Sequence, residues 1–370
     1  MISLGQASNY SSGRALGQLF AMGRAADSEA LRTALAHKYS ARPELVALYH
    51  SGRSALTVAL KAVGEKGSKV IIPGLTCIAV VRAVKAAGME PVFADITTEN
   101  LEYDYDAIDN IAKVCYNGII VVQNTLGLTW DMVKIEQIAR KYHLIIVEDL
   151  AHSAGRFYAD GREVGTVGQA VALSFGKGKA IDTINGGAVV IREASTQYIL
   201  AQPTRLPVLA ERARDRWYPI LAGICRELWR VKLGQVMMML FVKMGWVKRS
   251  ADTKLDTDVR LTDWQAKLAL AQLDKLPSTP LREFKLVRQR DELLAKLDRM
   301  GYNFHEIWYD TPVSPARYRD EADFPVDKCP VTVRLSEQII NIPTWYQDSK
   351  LAEARTVIAK YEIGGEDGAK

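Results

Sequence analysis

Between residues 45 and 195 the chain alternates short β-branched and apolar runs with amphipathic stretches, and this alternation constrains the fold more than any other feature. The runs are Lys69–Ile72, Pro91–Phe93, Ile119–Gln123, Leu144–Glu148, Val171–Phe175 and Ala188–Ile191. Segments such as Ala79–Ala87 and Met132–Tyr142 lie between them. Strands that are apolar throughout have no face to give to water, so they belong in a mostly parallel sheet covered by helices on both sides. The expected class is therefore α/β. Ligands of such sheets bind beyond the carboxyl ends of the strands. Asp149, Ser174, Asn124 and Pro73-Gly74-Leu75-Thr76 fall at those ends.

The alternation stops at residues 196–255. Residues 256–300 read as strongly helical, centred on Trp264–Leu273. Residues 301–370 read as a small α/β unit with a final helix near 350–361. Three parts are expected: a large domain over 1–200, a helical insert over 201–255 and a small C-terminal domain over 256–370. With 370 residues, 48% hydrophobic and 25% charged, the composition is that of an ordinary globular protein. Cys77, Cys115, Cys225 and Cys329 form no CxxC pair and no metal-ligand spacing, so no disulfide framework and no metal site are expected. A reducing cytoplasm fits that usage. The first residues lack a basic stretch followed by an apolar one, so no secretory signal is expected. Residues 211–250 carry nine Lys/Arg against three acids, and this local excess accounts for the net charge of +5. A general nucleic-acid surface is not indicated.

Four separated pieces carry chemistry. Ser51-Gly52-Arg53-Ser54-Ala55-Leu56 stands directly before the helical run Thr57–Ala62. A glycine with small hydroxyl residues at a helix start offers N–H groups and a positive dipole end to a phosphate, and Arg53 adds a forked cation. The plainer reading is an N-cap by Ser51 or Ser54. Glu148-Asp149 closes an apolar run, with His152 three residues on. Asp149 so placed can keep a pyridine nitrogen protonated, or merely cap a helix; His152 can meet a phenolic oxygen, or sit in the core. Ser174-Phe175-Gly176-Lys177-Gly178-Lys179 brings amines to the end of a second strand. A lysine that attacks a carbonyl must shed its proton, which desolvation and nearby cations favour. On spacing alone Lys177 rivals Lys179. The fourth piece, Asp258-Val259-Arg260-Leu261-Thr262-Asp263, opens a helix with Thr262 as its cap. A strand ending in an acid, a second ending in Ser and then Lys, and a phosphate-ready helix start are the parts of a pyridoxal 5'-phosphate (PLP) site. The P-loop pattern Gly-x-x-x-x-Gly-Lys-Ser/Thr is not met.

In this order and spacing the pieces resemble the DegT/DnrJ/EryC1/StrS family of PLP-dependent sugar aminotransferases. The resemblance is clear from about 45 to 195, resumes at 256–280, and returns at 324–360 with Phe324-Pro325-Val326, Arg334-Leu335-Ser336 and Ile342-Pro343. The family's Ser-Gly-Thr-Ala/Ser-Ala-Leu falls on Ser51–Leu56, and Pro-Ser-x-Thr-aromatic on Pro73–Cys77. Glu-Asp-Ala-Ala-Gln/His falls on Glu148–His152, and Ser-Phe-x-x-x-Lys on Ser174–Lys179. The resemblance implies a fold-type-I enzyme in which Lys179 carries the cofactor and Asp149 pairs with its ring nitrogen. Gly52, Arg53, Ser54, Cys77, His152 and Ser174 are implied around them. It further implies a homodimer with the site at the subunit boundary, an amino-acid donor such as glutamate, and a nucleotide-linked keto-sugar acceptor. Surface-glycan or related sugar biosynthesis is the implied setting. A PLP-dependent sugar dehydratase and a non-catalytic scaffold in a membrane-associated assembly are the competing readings. One branch of the family replaces the lysine with histidine and dehydrates sugars, and Lys179 argues against it. The chain also departs from the pattern. Cys77 replaces an aromatic common in the family, Arg53 a Thr, and Ile184-Asn185-Gly186-Gly187 a Gly-Glu-Gly-Gly. Asp258 stands where an Asn usually reaches the partner subunit's phosphate.

Residues 217–247 interleave Trp217, Trp229, Trp246 and Met237-Met238-Met239 with Arg226, Arg230, Lys232 and Lys243. The uncharged run Leu233–Val242 has ten residues, whereas a membrane span needs about twenty. Either the segment packs on its own domain or a dimer partner, or it lies as a helix pair on an anionic membrane surface.

Overall fold

Seven strands form the central sheet of the computed structural model, which describes residues 2–3, 12–193, 198–249, 252, 254–304, 307–344 and 348–363. They are β1 (Val46–Tyr49), β2 (Lys69–Pro73), β3 (Glu90–Ala94), β4 (Ile119–Val122), β5 (Ile145–Asp149), β6 (Ala170–Ser174) and β7 (Gly187–Ile191). Their order is β1-β7-β6-β5-β4-β2-β3. Neighbours from β6 through β3 are parallel, and β7 runs against both β6 and β1. The expected mostly parallel sheet is therefore present. The six expected strands appear within about a residue of their limits, and β1 is an addition. Four residues are too few for a period to show. Register places Gly187 opposite both Tyr49 and Ser174, so the ends of β1, β5 and β6 share one edge with the start of β7.

The strands are apolar because both faces are covered. α1 (Ser12–Phe20) lies outside the sheet layers. On one face α2 (Ala25–Lys38) contributes Leu31 and Leu35 to a buried core beneath the sheet. On the other, α3 (Gly52–Val63) and α4 (Ile78–Ala86) bring Leu56, Leu60, Ile78 and Val81. α5 (Tyr105–Val114) and α6 (Met132–Tyr142) pack with α2's layer through Ile108 and Ile135. The insert folds as α7 (Leu209–Glu227) and α8 (Leu233–Lys243) around Tyr218, Ala222, Cys225 and Met238. Among the described residues no helix is long and apolar enough to cross a membrane.

Residues 256–300 are not continuously helical. α9 (Asp263–Leu273) starts at a capping box between Thr262 and Gln265 and ends ahead of Pro277 and Pro280. Proline lacks the N–H that a helix needs. β8 (Arg282–Leu286) comes next, then α10 (Arg290–Arg299), then α11 (Pro330–Gln338). β8 pairs antiparallel with β9 (Ile339–Pro343), and α12 (Asp348–Ala359) ends the described helices. A second core lies here, with Leu293, Leu297, Ile340, Ile342 and Leu351. Ala266, Ala269 and Leu273 of α9 belong instead to the large core.

Two glycines let α3 start hard against the sheet edge. A Cβ on Gly52 would lie 2.7 Å from the Ser174 Cβ, and one on Gly187 would lie 2.6 Å from the Gly52 Cα and 2.6 Å from the Leu173 carbonyl oxygen. Replacing Gly187 with Ala should cost about 1–3 kcal/mol in urea denaturation, because backbone has to move. Gly223 in α7 meets open space, so Gly223→Ala should instead stabilise by about 0.5–1 kcal/mol.

Candidate active site

Strand alternation separates the two acids at the end of β5. Glu148 turns into the body of the protein, where its carboxylate accepts from the Tyr158 hydroxyl (2.6 Å) and the backbone N–H groups of Gly165 (2.7 Å), Val167 (2.8 Å) and Gly168 (2.6 Å). It is a structural anchor. Asp149 turns the other way. Among the described residues it accepts one hydrogen bond, from the Ala151 N–H at 3.0 Å. Burial pushes its pKa up to about 6, against the pull of that N–H and of the Lys179 charge.

Lys179 shares the pocket. Burial lowers its pKa to about 8, Arg282 adds to that effect, and the acids Asp149 and Asp182 oppose it. Its Nζ sits 4.4 Å from the centre of the Trp308 ring. Lys177, its rival by spacing, points elsewhere. The Lys177 Nζ donates to the Lys248 carbonyl at 2.7 Å and lies 4.1 Å from the Tyr218 ring centre, so the insert holds it. Gly178, at φ +71, turns the chain between the two lysines, and its N–H donates to Asp182 at 2.8 Å.

His152 is buried and neutral. Burial lowers its pKa well below the ordinary value, and the cations Lys179 and Arg282 act the same way. Its Nδ1 accepts the Leu126 N–H at 3.1 Å, with the Tyr309 hydroxyl 3.3 Å away. The proton therefore resides on Nε2. The ring stacks on Trp308 at 4.8 Å and 22°.

At the start of α3, Ser51 caps the helix by accepting the Ser54 N–H at 3.1 Å. The Ser54 hydroxyl donates to the Asp256 carbonyl at 2.8 Å, so it is already engaged. Ser174 lies against Gly52, and its Oγ accepts weakly from the Gly176 N–H at 3.4 Å. Arg53 is buried beside Cys77. Cys77 caps α4 through a 3.5 Å contact from the Ala79 N–H. Gly52, Arg53, Ser54, Cys77, Asp149, His152, Ser174 and Lys179 thus gather at one sheet edge.

Three members of the site carry no local sequence signature. Trp308, Tyr309 and Arg282 enter from the C-terminal part. Trp308 carries Arg282 at 4.1 Å from its ring centre as well as Lys179 and His152. The nearest thing to a signal is an aromatic doublet in the loop over 307–319, whose residues spell no readable code.

The departures from the family pattern also find places. Asn185 donates to Asp215 of α7 at 2.6 Å. Gln265 donates to the same carboxylate at 3.4 Å, and His50 approaches it at 3.5 Å. Burial raises Asp215 to about 7 and lowers His50 to about 4, so the His50 contact is not an ion pair at neutral pH. Asp258 is at the surface, where it accepts from the Thr204 N–H and hydroxyl and meets Arg205 at 3.7 Å.

The pocket meets the demands of PLP. It offers a buried acid short of donors, an amine near its titration point, and a helix start brought within van der Waals reach of Ser174. Residues 19–285 match the family model described as the DegT/DnrJ/EryC1/StrS aminotransferase family. The chain belongs to that family. Among relatives, this DegT-family chain is 35% identical over 144 residues to GDP-perosamine synthase of Escherichia coli O157:H7, covering 39% of each chain. It spans 33% and 39% of the lengths of the first two curated relatives it matches. A DegT DnrJ EryC1 StrS aminotransferase from Brucella abortus shares the fold at TM-score 0.64 and 18% identity, over 94% of this chain and 96% of that one. So does E. coli GDP-4-keto-6-deoxy-D-mannose-3-dehydratase with bound hydrated PLP, at TM-score 0.63 and 15% identity, over 97% and 99%.

In the cofactor-free protein, acylation of Lys179 by an amine-directed reagent should reach half its maximal rate near pH 8, as followed by mass spectrometry. Asp149→Asn removes a charge that favours the ammonium, so that midpoint should fall. Folding lowers this pKa from 10.5, so the unfolded chain binds more protons between about pH 8 and 10.5 and stability rises with pH there. Lys179→Met should flatten that rise.

Proposed function

We propose that this chain is a PLP-dependent aminotransferase that passes an amino group from an amino acid, glutamate, to a nucleotide-linked keto-sugar. The observation that carries the reading is the placement of half-buried Lys179 in one pocket with buried Asp149, each with its pKa drawn toward neutrality. The α3 start with Gly52, Arg53 and Ser174 would hold the phosphate. Asp149 would face the ring nitrogen, the Nε2–H of His152 the phenolic oxygen, and Trp308 a ring face that Cys77 is too small to cover. Ser54 would act through the helix start, since its hydroxyl serves Asp256.

Bound there, PLP supplies an aldehyde carbon that takes up amines and a ring that accepts the electron pair left on the donor's α-carbon. Asp149 would keep the ring nitrogen cationic. Lys179, whose pKa burial draws down from the ordinary lysine range, would be the base that takes the proton from the donor's α-carbon. Arg282 adds a second cation that suits anionic donors and acceptors alike. Trp308 and Tyr309 close the pocket from the C-terminal part.

A homodimer, a role in glycan or related sugar biosynthesis, and the division at about residues 200 and 255 belong to the same proposal. In that division α9 is the arm by which the third part grips the first.

Borohydride reduction of the PLP-loaded protein should tag Lys179, located by peptide mass spectrometry. Incubation with glutamate and a panel of nucleotide keto-sugars should give a product with one amino group gained. Lys179→Ala should lower turnover by about 10²–10⁴-fold, and Lys177→Ala should leave the tag in place. A product that loses oxygen without gaining nitrogen would establish a dehydratase. A tag outside 174–187, or none, would overturn the reading.

A further inference from the structure

The hairpin of α7 and α8 carries an apolar outer face. α8 and its C-cap expose Leu233, Val236, Met239, Leu240 and Met244, most at spacings of three and four residues, while Gly234 and Met238 are buried. Met239 is 70% exposed, and Trp246 just beyond the helix is 54% exposed. A helix resting on its own core normally turns polar residues to water. Here the outward side is as apolar as the inward one, and among the described residues nothing covers it. Trp217 and Ile224 are exposed one heptad apart on α7. α1 adds Leu16 and Phe20, and Arg216 ties it to α7 by donating to the Leu19 and Ala21 carbonyls at 2.9 and 2.7 Å.

Charge selects the occupant. Exposed Lys232 and Lys243 stand at the two ends of α8, and residues 211–250 hold nine basic residues against three acids. One of those acids, Asp215, is buried, so the outward balance is more basic still. A second copy docked face to face would set this excess against itself. An eleven-residue helix, roughly 16 Å long, is too short to cross a bilayer but long enough to lie in its headgroup layer. We propose that this hairpin docks on an anionic lipid surface, with the apolar face of α8 at the acyl boundary and Lys232 and Lys243 among the headgroups. The proposal does not depend on the chemistry of the pocket.

The full-length protein, loaded with PLP, would be floated with vesicles of phosphatidylcholine alone and of phosphatidylcholine mixed with phosphatidylglycerol. Binding is expected only to the anionic vesicles, with a blue shift of tryptophan emission and release by salt. Loss of either lysine in Lys232→Gln or Lys243→Gln should weaken partitioning by about fivefold. The double variant Met239→Glu/Leu240→Glu should weaken it by at least about tenfold, with solution mass and amino-group transfer to a soluble acceptor unchanged. Absence of binding, equal binding to both vesicle types, or full binding by the glutamate variant would overturn the proposal. A fall in the oligomer mass of the glutamate variant would overturn it too, by making the face a contact between copies.

Discussion

A buried carboxylate and a half-buried amine in one pocket set the terms for everything around them. Either charge alone is costly away from water, and together they offset part of that cost. Burial draws Asp149 up and Lys179 down, and each group's charge partly restrains the other's shift. The result is a pair of groups poised on either side of neutrality. The sheet makes this possible by ending β5 and β6 at the same edge, with β7 returning alongside to let α3 begin there. Two glycines, not side chains, close the last gap.

Much of this is legible in the residues. Fully apolar strand runs declare a sheet covered on both faces, and the acid and lysine at two strand ends mark its working edge. Other features are hidden for physical reasons. β1 is too short for a period. The strand Arg282–Leu286 opens on two adjacent charges within a segment whose neighbours are strongly helical, and only the preceding prolines warn of a break. Trp308, Tyr309 and Arg282 reach the pocket through tertiary packing across more than a hundred residues, which no local pattern encodes. The choice between Lys177 and Lys179 also needs three dimensions, since only the fold shows the insert occupying Lys177.

The departures from the family pattern look less like losses once their partners are seen. Asn185 donates to a buried acid of the insert, where a glutamate would have set two carboxylates together. Asp258 is engaged by Thr204 and Arg205 at the surface. With Cys77 in place of an aromatic, Trp308 brings a ring to within 4.4 Å of the Lys179 Nζ.

The segment 174–187 is gripped twice by the helical insert: Lys177 by Tyr218 and Lys248, and Asn185 by Asp215. Lys179 lies between these two grips. Fraying of the hairpin would therefore loosen both flanks of the lysine at once, so the two regions should open and close as a single cooperative unit. A hairpin outside the sheet layers is thus part of the frame on both sides of Lys179.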